Sequence, residues 1–441
     1  DFTINKFKVA RGRKLTSIEC HDIVCKTGDV VVVGGVRRSA LISLSNLSDD
    51  RMRSAKTGEW YKLNPERSLA NNSAVYTGRP DTGTFMKEWL SLYESKSGER
   101  GIFNRASVQE KAKQNGRRNA DIEFGTNPCS EIILRPNQFC NLTEVVVRAA
   151  DTVDSLKRKI KMATILGTMQ ATFTDFGYLR KRWQNNTEEE RLLGVSLTGI
   201  MDNVITLSQD HEQLAKMLQS LREVAVHTNK EWADKLGIPQ STAITCIKPS
   251  GTVSQLVDSA SGIHARHNPY YVRTVRGDNK DPLTQLMIES GVPNEPEIRG
   301  NEPSPDITVF SFPMAAPKDA VCRNDMTAVQ QLQLWKIYAE HWCEHKPSVT
   351  ISVREEEWIP VGSWCWNNFN YLSGVSFLPY SDHTYKQAPY QDISKKSYEK
   401  LIKKMPTGID WQRLQDFEKK DMTKGSQELA CTAGTCELVD I

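Results

Sequence analysis

Short apolar segments rich in β-branched residues alternate with long helical segments along most of this 441-residue chain. The runs at 348–353 (SVTISV) and 374–379 (GVSFLP) have the length and composition of strands, whereas 84–95 and 151–235 carry the apolar spacing of helices. Parallel strands need long crossover connections, usually helices, and this alternation therefore predicts an α/β architecture with parallel strands. With 39% hydrophobic residues, the chain can bury a large core.

Charge and hydropathy exclude several kinds of partner. Charged residues make up 25% of the chain, the net charge is +3, and both signs are mixed. We therefore expect neither a nucleic-acid duplex nor a membrane surface as partner. No apolar run approaches the roughly 20 residues that span a bilayer, and the front lacks a signal-peptide core, which together predict a cytoplasmic protein. The chain begins at Asp1 rather than at Met, in a polar segment, and we expect that it was cut or processed at its front.

The ten cysteines are scattered rather than spaced as a disulfide framework, which favours catalytic, redox or metal-binding roles. Asn127, Cys129 and Glu131 occupy alternate positions. If the segment is extended, their side chains share one face and point into the same space. A lone cysteine beside a turn is often inert and buried, but an amide and a carboxylate aimed at one spot need polar partners. The segment is therefore a candidate catalytic site.

Three further cysteines bear on this site. Cys140 follows the turn RPNQF, which could bring it back towards Cys129. Cys431 and Cys436 lie near the end of the chain with only Thr-Ala-Gly-Thr between them. A zinc site would need two more ligands nearby, and the last forty residues hold no other Cys or His. Two incidental cysteines remain an alternative, but a mobile dithiol that exchanges with a disulfide explains the pattern better.

The segment 248–254 (KPSGTVS) precedes a helical stretch, so its backbone N–H groups and hydroxyls could cradle phosphates. It is not a P-loop, and by itself the signal is weak. His264 and His267 invite a metal site, but two histidines three residues apart without a third ligand are more often structural. We therefore name no metal ligand.

Taken together, the segment NPCSEI, the spacing C-x10-C from Cys129 to Cys140 and the terminal C-x4-C resemble the catalytic half of ribonucleotide reductases. The resemblance is to the adenosylcobalamin-dependent (class II) group, of the monomeric ribonucleoside-triphosphate reductase type. It extends over essentially the whole chain through the segments GGVRRSALISL, LANNSAVY, KPSGTVSQL, SGIHARHNPYYVR, PSVTISVREEEW and GVSFLPYSDHTYKQAPY.

The resemblance implies a ten-stranded α/β barrel with a catalytic finger loop around residues 125–142. This chain would be the C-terminal part of such an enzyme and would lack the N-terminal strands of the barrel. Residues 1–393 would form the barrel portion, and 394–441 a tail with a redox dithiol. We expect the N-terminal part of the same enzyme to be a required partner, without which the chain does not turn over.

The resemblance also implies the chemistry of the site. Cys129 would become a thiyl radical after adenosylcobalamin supplies a deoxyadenosyl radical, and would then abstract the ribose 3′-hydrogen. Glu131 would act as general base on the 3′-hydroxyl, and Asn127 would hydrogen-bond the ribose hydroxyls. Cys140 would be one member of the redox pair that supplies electrons. Cys431 and Cys436 would exchange with that pair and be reduced by a thioredoxin-like protein.

Two loops receive roles in the same way. The phosphates of a nucleoside triphosphate would bind to Pro249, Ser250, Gly251, Thr252, Val253 and Ser254. The specificity loop, between an effector site and the substrate base, would include Gly35, Arg37, Arg38 and Ser39, although these residues could equally form a glycine turn with two solvated arginines.

Cys20 and Cys25 are interpreted as structural, because free cysteines are usually buried. Two alternatives stay open: the large subunit of a diiron-dependent ribonucleotide reductase, or a non-catalytic split fragment that needs an N-terminal partner. The first would need a tyrosine pair late in the chain, and the only adjacent tyrosines are Tyr270 and Tyr271.

Overall fold

The computed structural model describes residues 1–29, 32–33, 37–208, 210–299, 302–381, 387–418, 430–432 and 435–437. The α-helices are α1 Phe2–Val9, α2 Ser17–Asp29, α3 Asp50–Arg53, α4 Trp60–Leu63, α5 Thr82–Ser95, α6 Arg105–Gln114, α7 Val153–Gln170, α8 Lys181–Glu190, α9 His211–Leu236, α10 Gly251–Leu256, α11 Pro282–Glu289, α12 Ala328–His341, α13 Trp358–Asn367, α14 Lys395–Ile402 and α15 Leu414–Glu418.

The strands are β1 Val32–Val33, β2 Arg37–Arg38, β3 Leu41–Asn46, β4 Ala70–Tyr76, β5 Gly101–Asn104, β6 Gly125–Thr126, β7 Ile133–Leu134, β8 Asn141–Val146, β9 Leu193–Thr198, β10 Thr245–Cys246, β11 Tyr270–Asp278, β12 Asn294–Arg299, β13 Glu302–Ala315, β14 Val349–Val353, β15 Ser373–Pro379, β16 Tyr390–Asp392, β17 Ala430–Thr432 and β18 Thr435–Glu437. The chain divides into two compact units, residues 1–265 with 326–380 and residues 266–325 with 381–441.

The first unit contains two sheets built mainly from parallel strands. One has the order β14-β15-β5-β4-β3 and the other β10-β9-β8. Every pair is parallel except β15 with β5, which is antiparallel. A single parallel bridge between Ile247 and Pro347 joins the two sheets just beyond β10 and just before β14. Eight strands thus form one series, with β3–β5 running opposite to the other five. The predicted α/β architecture is confirmed, with mixed rather than wholly parallel sheets.

One part of the secondary-structure prediction is wrong. The stretch 151–235, predicted to be helical, contains β9 between α8 and α9, and all six residues of this strand are buried. A strand buried on both faces reads as a continuous apolar run, which periodicity cannot distinguish from a buried helix. The flanking helices did follow their signals: α7 begins with a capping box between Thr152 and Ser155, and α9 ends at Gly237 with φ +66°.

In sequence order, a short antiparallel hairpin of β6 and β7 lies between β5 and β8. Residues 127–132 form its tip. A cluster of buried side chains supports its base, formed by Phe103, Val108, Ala112, Phe124 and Ile133. The tip therefore rests on a packed core, and we refer to β6, β7 and residues 127–132 as the finger hairpin.

The second unit is built on an antiparallel sheet in the order β12-β13-β11-β16. Its longest pairing runs from Tyr270 opposite Ala315 to Asp278 opposite Ile307. The sequence analysis made no prediction for this region. In the same unit β17 pairs antiparallel with β18, and the backbone of Cys431 lies opposite that of Cys436. Within the described residues, no helix combines the length and the apolar character that crossing a membrane requires.

Candidate active site

The tip of the finger hairpin is a tight turn rather than the predicted extended segment. The N–H of Ser130 donates to the carbonyl of Asn127 at 2.9 Å, and Ser130 has φ +67°. The expectation that Asn127, Cys129 and Glu131 share one face of an extended strand was therefore wrong. The physical reason is that the chain must reverse direction between Thr126 and Ile133, which pair with each other across the hairpin.

The turn nevertheless brings Asn127 and Glu131 into contact. Asn127 Nδ2 donates to Glu131 Oε1 at 2.7 Å, while Asn127 Oδ1 accepts from the N–H of Ile132 at 3.0 Å. Glu131 is fully buried. Lys248 Nζ donates to the same oxygen, Oε1, at 2.8 Å. Within the described part of the chain, Glu131 Oε2 has no hydrogen-bond partner. The site thus holds a buried carboxylate with one oxygen occupied twice and the other available.

Strands on both sides tie the tip in place through its backbone. Asn71 Nδ2 donates to the carbonyl of Pro128 at 2.8 Å, and Ser348 Oγ donates to the carbonyl of Cys129 at 2.5 Å. Gly374 has φ +80°, and a Cβ there would lie 2.9 Å from the carbonyl oxygen of Ser130. Only glycine allows β15 to pack this closely against the tip. These contacts give Cys129 a fixed position, as a reacting group requires.

Lys346 also contacts this turn, through both its backbone and its side chain. Its backbone N–H donates to the carbonyl of Glu131 at 3.0 Å, and its Nζ donates to Ser373 Oγ at 2.6 Å and to Ser130 Oγ at 3.3 Å. The ammonium also lies 4.8 Å from the centre of the Phe103 ring. Burial lowers the pKa of Lys346 to about 7, although the charge of Glu131 raises it.

Cys129 lies on the wall of a cavity of about 290 Å³. The cavity has both apolar and polar walls, and its hydroxyl and amide groups include those of Asn71, Ser73, Ser130, Ser348, Thr350 and Ser376. Burial and the nearby Glu131 raise the pKa of the Cys129 thiol, whereas Lys248 lowers it. The thiol therefore keeps its hydrogen at neutral pH, which a group that donates or receives a hydrogen atom requires.

Cys140 immediately precedes β8 and is half-buried, with Sγ 3.8 Å from the carbonyl of Asn141. Burial, and next the charge of Glu131, raise its pKa. The charge of Glu131 thus acts on the thiols of both Cys129 and Cys140. Cys246 on β10, which the sequence analysis did not single out, is fully buried, and its pKa is raised by burial and then by Glu131 and Cys140.

The loop predicted to bind phosphate starts beside this site. Pro249 lines the same cavity as Cys129. Ser250 Oγ donates to Glu144 Oε2 at 2.8 Å, and Ser254 Oγ donates to the carbonyl of Ser250. Both serine hydroxyls are thus engaged within the protein, and burial raises the pKa of Glu144. Gly251 and Val253 are exposed at the start of α10, where the first N–H groups of a helix lack helical partners. The side chain of Thr252 lies outside the described part of the chain.

Other predicted residues are described only in part. Gly35 lies outside the described residues. The backbones of Arg37 and Arg38 lie on β2, opposite Val33 and Val32 of β1, and Ser39 follows as a half-buried residue before β3. Of Cys431 and Cys436, only the backbone in β17 and β18 is described.

His264 is a structural histidine, as expected from its sequence. Its Nε2 accepts from the N–H of Thr350 at 3.0 Å, and its Nδ1 lies 3.0 Å from the carbonyl of Ser261. Both ring nitrogens are therefore occupied by backbone groups. Among the described residues, no group of three or more His, Cys, Asp or Glu side chains is arranged to hold a metal ion.

Sequence reasoning missed the contacts that Lys248 and Lys346 make with the finger hairpin. Lys248 stands in the motif KPSGTVS, but it is 117 positions from Glu131, and Lys346 is 216 positions from Ser130. No local pattern reports a contact of this range. The only available signal was a lysine beside the Gly-containing loop.

Comparison with known proteins identifies relatives over nearly the whole chain. The chain is 27% identical to an adenosylcobalamin-dependent ribonucleoside-triphosphate reductase of Lactobacillus helveticus, with 97% of this chain and 60% of that protein covered. It is 28% identical to the protein of the same name from Euglena gracilis, with 92% of this chain and 55% of that protein covered. The chain thus spans about three fifths of the length of these relatives. No family model matches it.

Solved structures agree with this relationship. A B12-dependent (class II) ribonucleotide reductase superimposes with a TM-score of 0.77 and 22% identity, covering 96% of this chain and 60% of that one. The α subunit of a class Id ribonucleotide reductase from Actinobacillus ureae gives a TM-score of 0.57 and 12% identity over 83% of this chain and 76% of that one. The resemblance to adenosylcobalamin-dependent ribonucleotide reductases inferred from the motifs is confirmed.

Proposed function

We propose that this chain is the catalytic part of an adenosylcobalamin-dependent ribonucleoside-triphosphate reductase, an oxidoreductase that converts ribonucleotides to 2′-deoxyribonucleotides through a thiyl radical on Cys129. The observation that carries the proposal is the finger hairpin, which places Cys129 on a cavity wall beside the buried carboxylate of Glu131. The relatives named above bear the same activity in their names. No comparable observation favours the diiron-dependent alternative.

In this mechanism each residue of the tip has a separate task. The thiyl radical of Cys129 takes the ribose 3′-hydrogen, and Glu131 takes the proton of the 3′-hydroxyl. The 2′-hydroxyl then leaves as water with a proton from a pair of thiols that includes Cys140, and this pair supplies two electrons and two protons as it becomes a disulfide. Glu131 returns its proton to the 3′ oxygen, and the thiol of Cys129 returns the hydrogen atom to C3′, which restores the thiyl radical. Asn127 orients Glu131 and the ribose hydroxyls, which is consistent with its 2.7 Å contact to Oε1. A positioned base of this kind contributes roughly 10²–10⁴-fold to rate.

The residues around Cys129 fit the nucleoside portion of adenosylcobalamin. The cavity of about 290 Å³ suits a group of nucleoside size but not a whole corrinoid. Hydroxyl groups in its lining, those of Ser73, Thr350 and Ser376, match the hydrogen-bonding groups of a nucleoside. When bound, the cofactor supplies the organic radical that takes the hydrogen of Cys129. The protein holds the thiol in place and excludes water around Glu131.

We further propose that the eight strands of the first unit belong to a ten-stranded barrel whose first strands come from an N-terminal part of the enzyme. Among the strands of the described residues, each end of the series, β3 and β8, has a neighbour on one side only, and an unpaired edge is a template for another strand. Beside β8, the helix α7 exposes an apolar stripe at helical spacing, in which Met162 is 59%, Leu166 59% and Met169 46% exposed, and Phe173, just beyond the helix, is 76% exposed. Apolar exposure of this extent marks an interaction surface.

This partner proposal predicts complementation. We expect no deoxynucleotide formation from the chain alone, because the barrel is open where the substrate must be enclosed. Mixing the chain with a polypeptide that comprises the preceding part of a relative should give activity at least about a hundredfold above either piece, which corresponds to at least about 2.7 kcal/mol from barrel closure and orientation. The measurement is conversion of a ribonucleoside triphosphate in the presence of adenosylcobalamin and dithiothreitol. Full activity of the chain alone would overturn the partner proposal.

Substrate phosphates are proposed to bind at residues 249–254. Because the hydroxyls of Ser250 and Ser254 are engaged elsewhere, the groups on offer are the N–H groups of Gly251, Thr252 and Val253 at the start of α10. We likewise propose that Gly35, Arg37, Arg38 and Ser39 form the specificity loop. It leads directly into β3, whose Ile42 lines the cavity with Cys129.

We propose that 394–441 act as a redox tail on a barrel portion, 1–393, and that Cys431 and Cys436 exchange with the active-site disulfide. Their backbones face each other across β17 and β18, a pairing compatible with a dithiol that closes and opens. The eight cysteines whose side chains are described are all free thiols. Free thiols throughout suit a reducing compartment such as the cytoplasm.

The double substitution Cys431→Ser/Cys436→Ser tests the tail in the completed enzyme. Because Cys140 is half-buried and its thiol pKa is raised by burial, we expect that a bulky thioredoxin-like protein does not reach it, and that a mobile dithiol carries the electrons. We expect one equivalent of product per pre-reduced enzyme and then a stall with thioredoxin. Dithiothreitol should restore cycling. Thioredoxin-driven turnover at the unmodified rate would contradict the shuttle, and Cys20→Ser, an exposed cysteine, serves as the matched control.

A further inference from the structure

We propose that Lys248 is a positioning residue of the active site: together with Asn127 it holds Oε1 of Glu131, and thereby assigns Oε2 as the oxygen that accepts the substrate proton. The inference rests on the proposed function of Cys129 and Glu131. It adds to that function a residue, Lys248, and an atom, Oε2 of Glu131, which the predicted phosphate-binding role of the segment 248–254 does not include.

The geometry of Glu131 supports the assignment of its two oxygens. Asn127 Nδ2 and Lys248 Nζ reach the same atom, Oε1, at 2.7 Å and 2.8 Å. Oε2 is equally shielded from solvent and has no partner among the described residues. A buried carboxylate oxygen without a partner is costly, so its persistence indicates that a ligand hydroxyl completes the site. With Oε1 fixed by two donors, only Oε2 has lone pairs directed to an incoming group.

Lys248 is itself fixed at its backbone. Its N–H donates to Ser196 Oγ on β9 at 2.9 Å. Its carbonyl lies so close to Gly262 that a Cβ there would be 2.7 Å from the oxygen. The side chain is one-third exposed, while that of Glu131 is not exposed at all. The ammonium therefore reaches the buried carboxylate from the solvent side and closes it off from water, and it connects Glu131 to the loop that starts at Pro249.

The same ammonium acts on the Cys129 thiol. Burial and Glu131 raise the pKa of Cys129, while the charge of Lys248 and a hydrogen bond from it lower that pKa. These are the charged groups that act on the thiol among the described residues. Glu131 and Lys248 thus form one electrically balanced pair beside the hydrogen-carrying sulfur. If Lys248 only packed against the loop, loss of its positive charge would not raise the pKa of the Cys129 thiol.

The test is the pH dependence of Cys129 alkylation by iodoacetamide in the chain as it stands, read by peptide mass spectrometry. The variants are K248M, K248R, E131Q and the double variant K248M/E131Q. Alkylation follows the thiolate fraction, so its midpoint reports the thiol pKa. We expect K248M to raise the midpoint by at least about one pH unit and E131Q to lower it, because each leaves the opposite charge unbalanced. The midpoints of the double variant and of K248R should lie near the midpoint of the unsubstituted chain.

Opposite shifts that cancel in the double variant cannot arise from loss of packing, which would move both single variants in one direction or change only the plateau rate. Midpoints that do not move, or that move together, would overturn the proposal. Alkylation of the exposed Cys20 and far-ultraviolet circular dichroism control for folding. If K248M fails to fold, E131Q alone still tests the proposal. A midpoint of Cys129 alkylation that does not move in E131Q would contradict the pairing of Lys248 with Glu131.

Because this assay needs no turnover, it separates the present inference from the proposed function. Cancelling shifts in a chain that yields no deoxynucleotide when completed would retain the Lys248–Glu131 pair and reject the reductase. Deoxynucleotide formation without cancelling shifts would retain the reductase and reject the role of Lys248. In an active completed enzyme, K248M should lower kcat more than it raises KM, and K248R should restore most of the loss.

Discussion

The Cys129→Ser variant, completed with the N-terminal part, is expected to form no deoxyribonucleotide above background. A serine hydroxyl holds its hydrogen too strongly to give it to an organic radical, and without a thiyl radical the ribose 3′-hydrogen is never removed. The loss should be at least about a thousandfold, which corresponds to a barrier higher by at least about 4 kcal/mol. The readout is product formed from a ribonucleoside triphosphate under single-turnover conditions.

The fold should survive this substitution. Cys129 lies at the tip of the finger hairpin, where it is half-buried, and the contact that ties it to β14 runs through its carbonyl to Ser348 Oγ. Serine keeps that carbonyl and occupies less space, so we expect the melting temperature to change by only a few degrees. Cys20→Ser is the matched control, since it makes the same chemical change at an exposed helical position. Retention of a tenth of the activity by Cys129→Ser would remove Cys129 from the mechanism.

Glu131→Gln is expected to lower kcat by about 10²–10⁴-fold while KM stays within a few-fold. Glutamine has the shape of glutamate but cannot take up the proton of the 3′-hydroxyl, and a base that acts in the transition state affects kcat rather than binding. The contacts of the turn to Lys346 and Ser348 involve backbone atoms of the tip and remain available. The folded tip should therefore persist.

The control for this variant is Glu123→Gln, which lies just before the finger hairpin and pairs with Arg105, with its side chain 76% exposed. Exposed ion pairs contribute little, so this change should leave both kinetic constants near their original values. If Glu131→Gln raised KM and left kcat unchanged, Glu131 would be a binding residue, and the assignment of Oε2 as proton acceptor would fail with it.

The elements with strong local signals could be predicted from the sequence. The predicted helix at 84–95 is α5, and the predicted strands at 348–353 and 374–379 are β14 and β15. The strand β9 was wrongly predicted to be part of a helix, because both of its faces are buried. The antiparallel sheet of β11, β12 and β13 was not predicted, although Ile307, Val309 and Phe310 of β13 are buried. Charged residues and prolines interrupt the apolar positions of these strands, so no regular apolar pattern marks them.

The site divides in the same way. Asn127, Cys129 and Glu131 could be found because they are close in sequence, although the turn that joins them differs from the extended segment that we expected. Lys248, just after β10, and Lys346, just before β14, are more than a hundred residues from the tip in sequence, and only the folded chain brings them there. Contacts between residues so far apart in sequence produce no periodic pattern. A sequence pattern can therefore identify the reacting groups, but not the lysines that shift their pKa values.

The most direct test of the central claim is electron paramagnetic resonance of the completed enzyme, frozen during turnover with adenosylcobalamin and substrate. We expect a sulfur-centred radical whose hyperfine pattern narrows when the protein carries cysteine deuterated at Cβ. The signal should be absent from Cys129→Ser. A radical signal that is unaffected by the deuterium, or that persists in Cys129→Ser together with product formation, would contradict the placement of the reaction on Cys129.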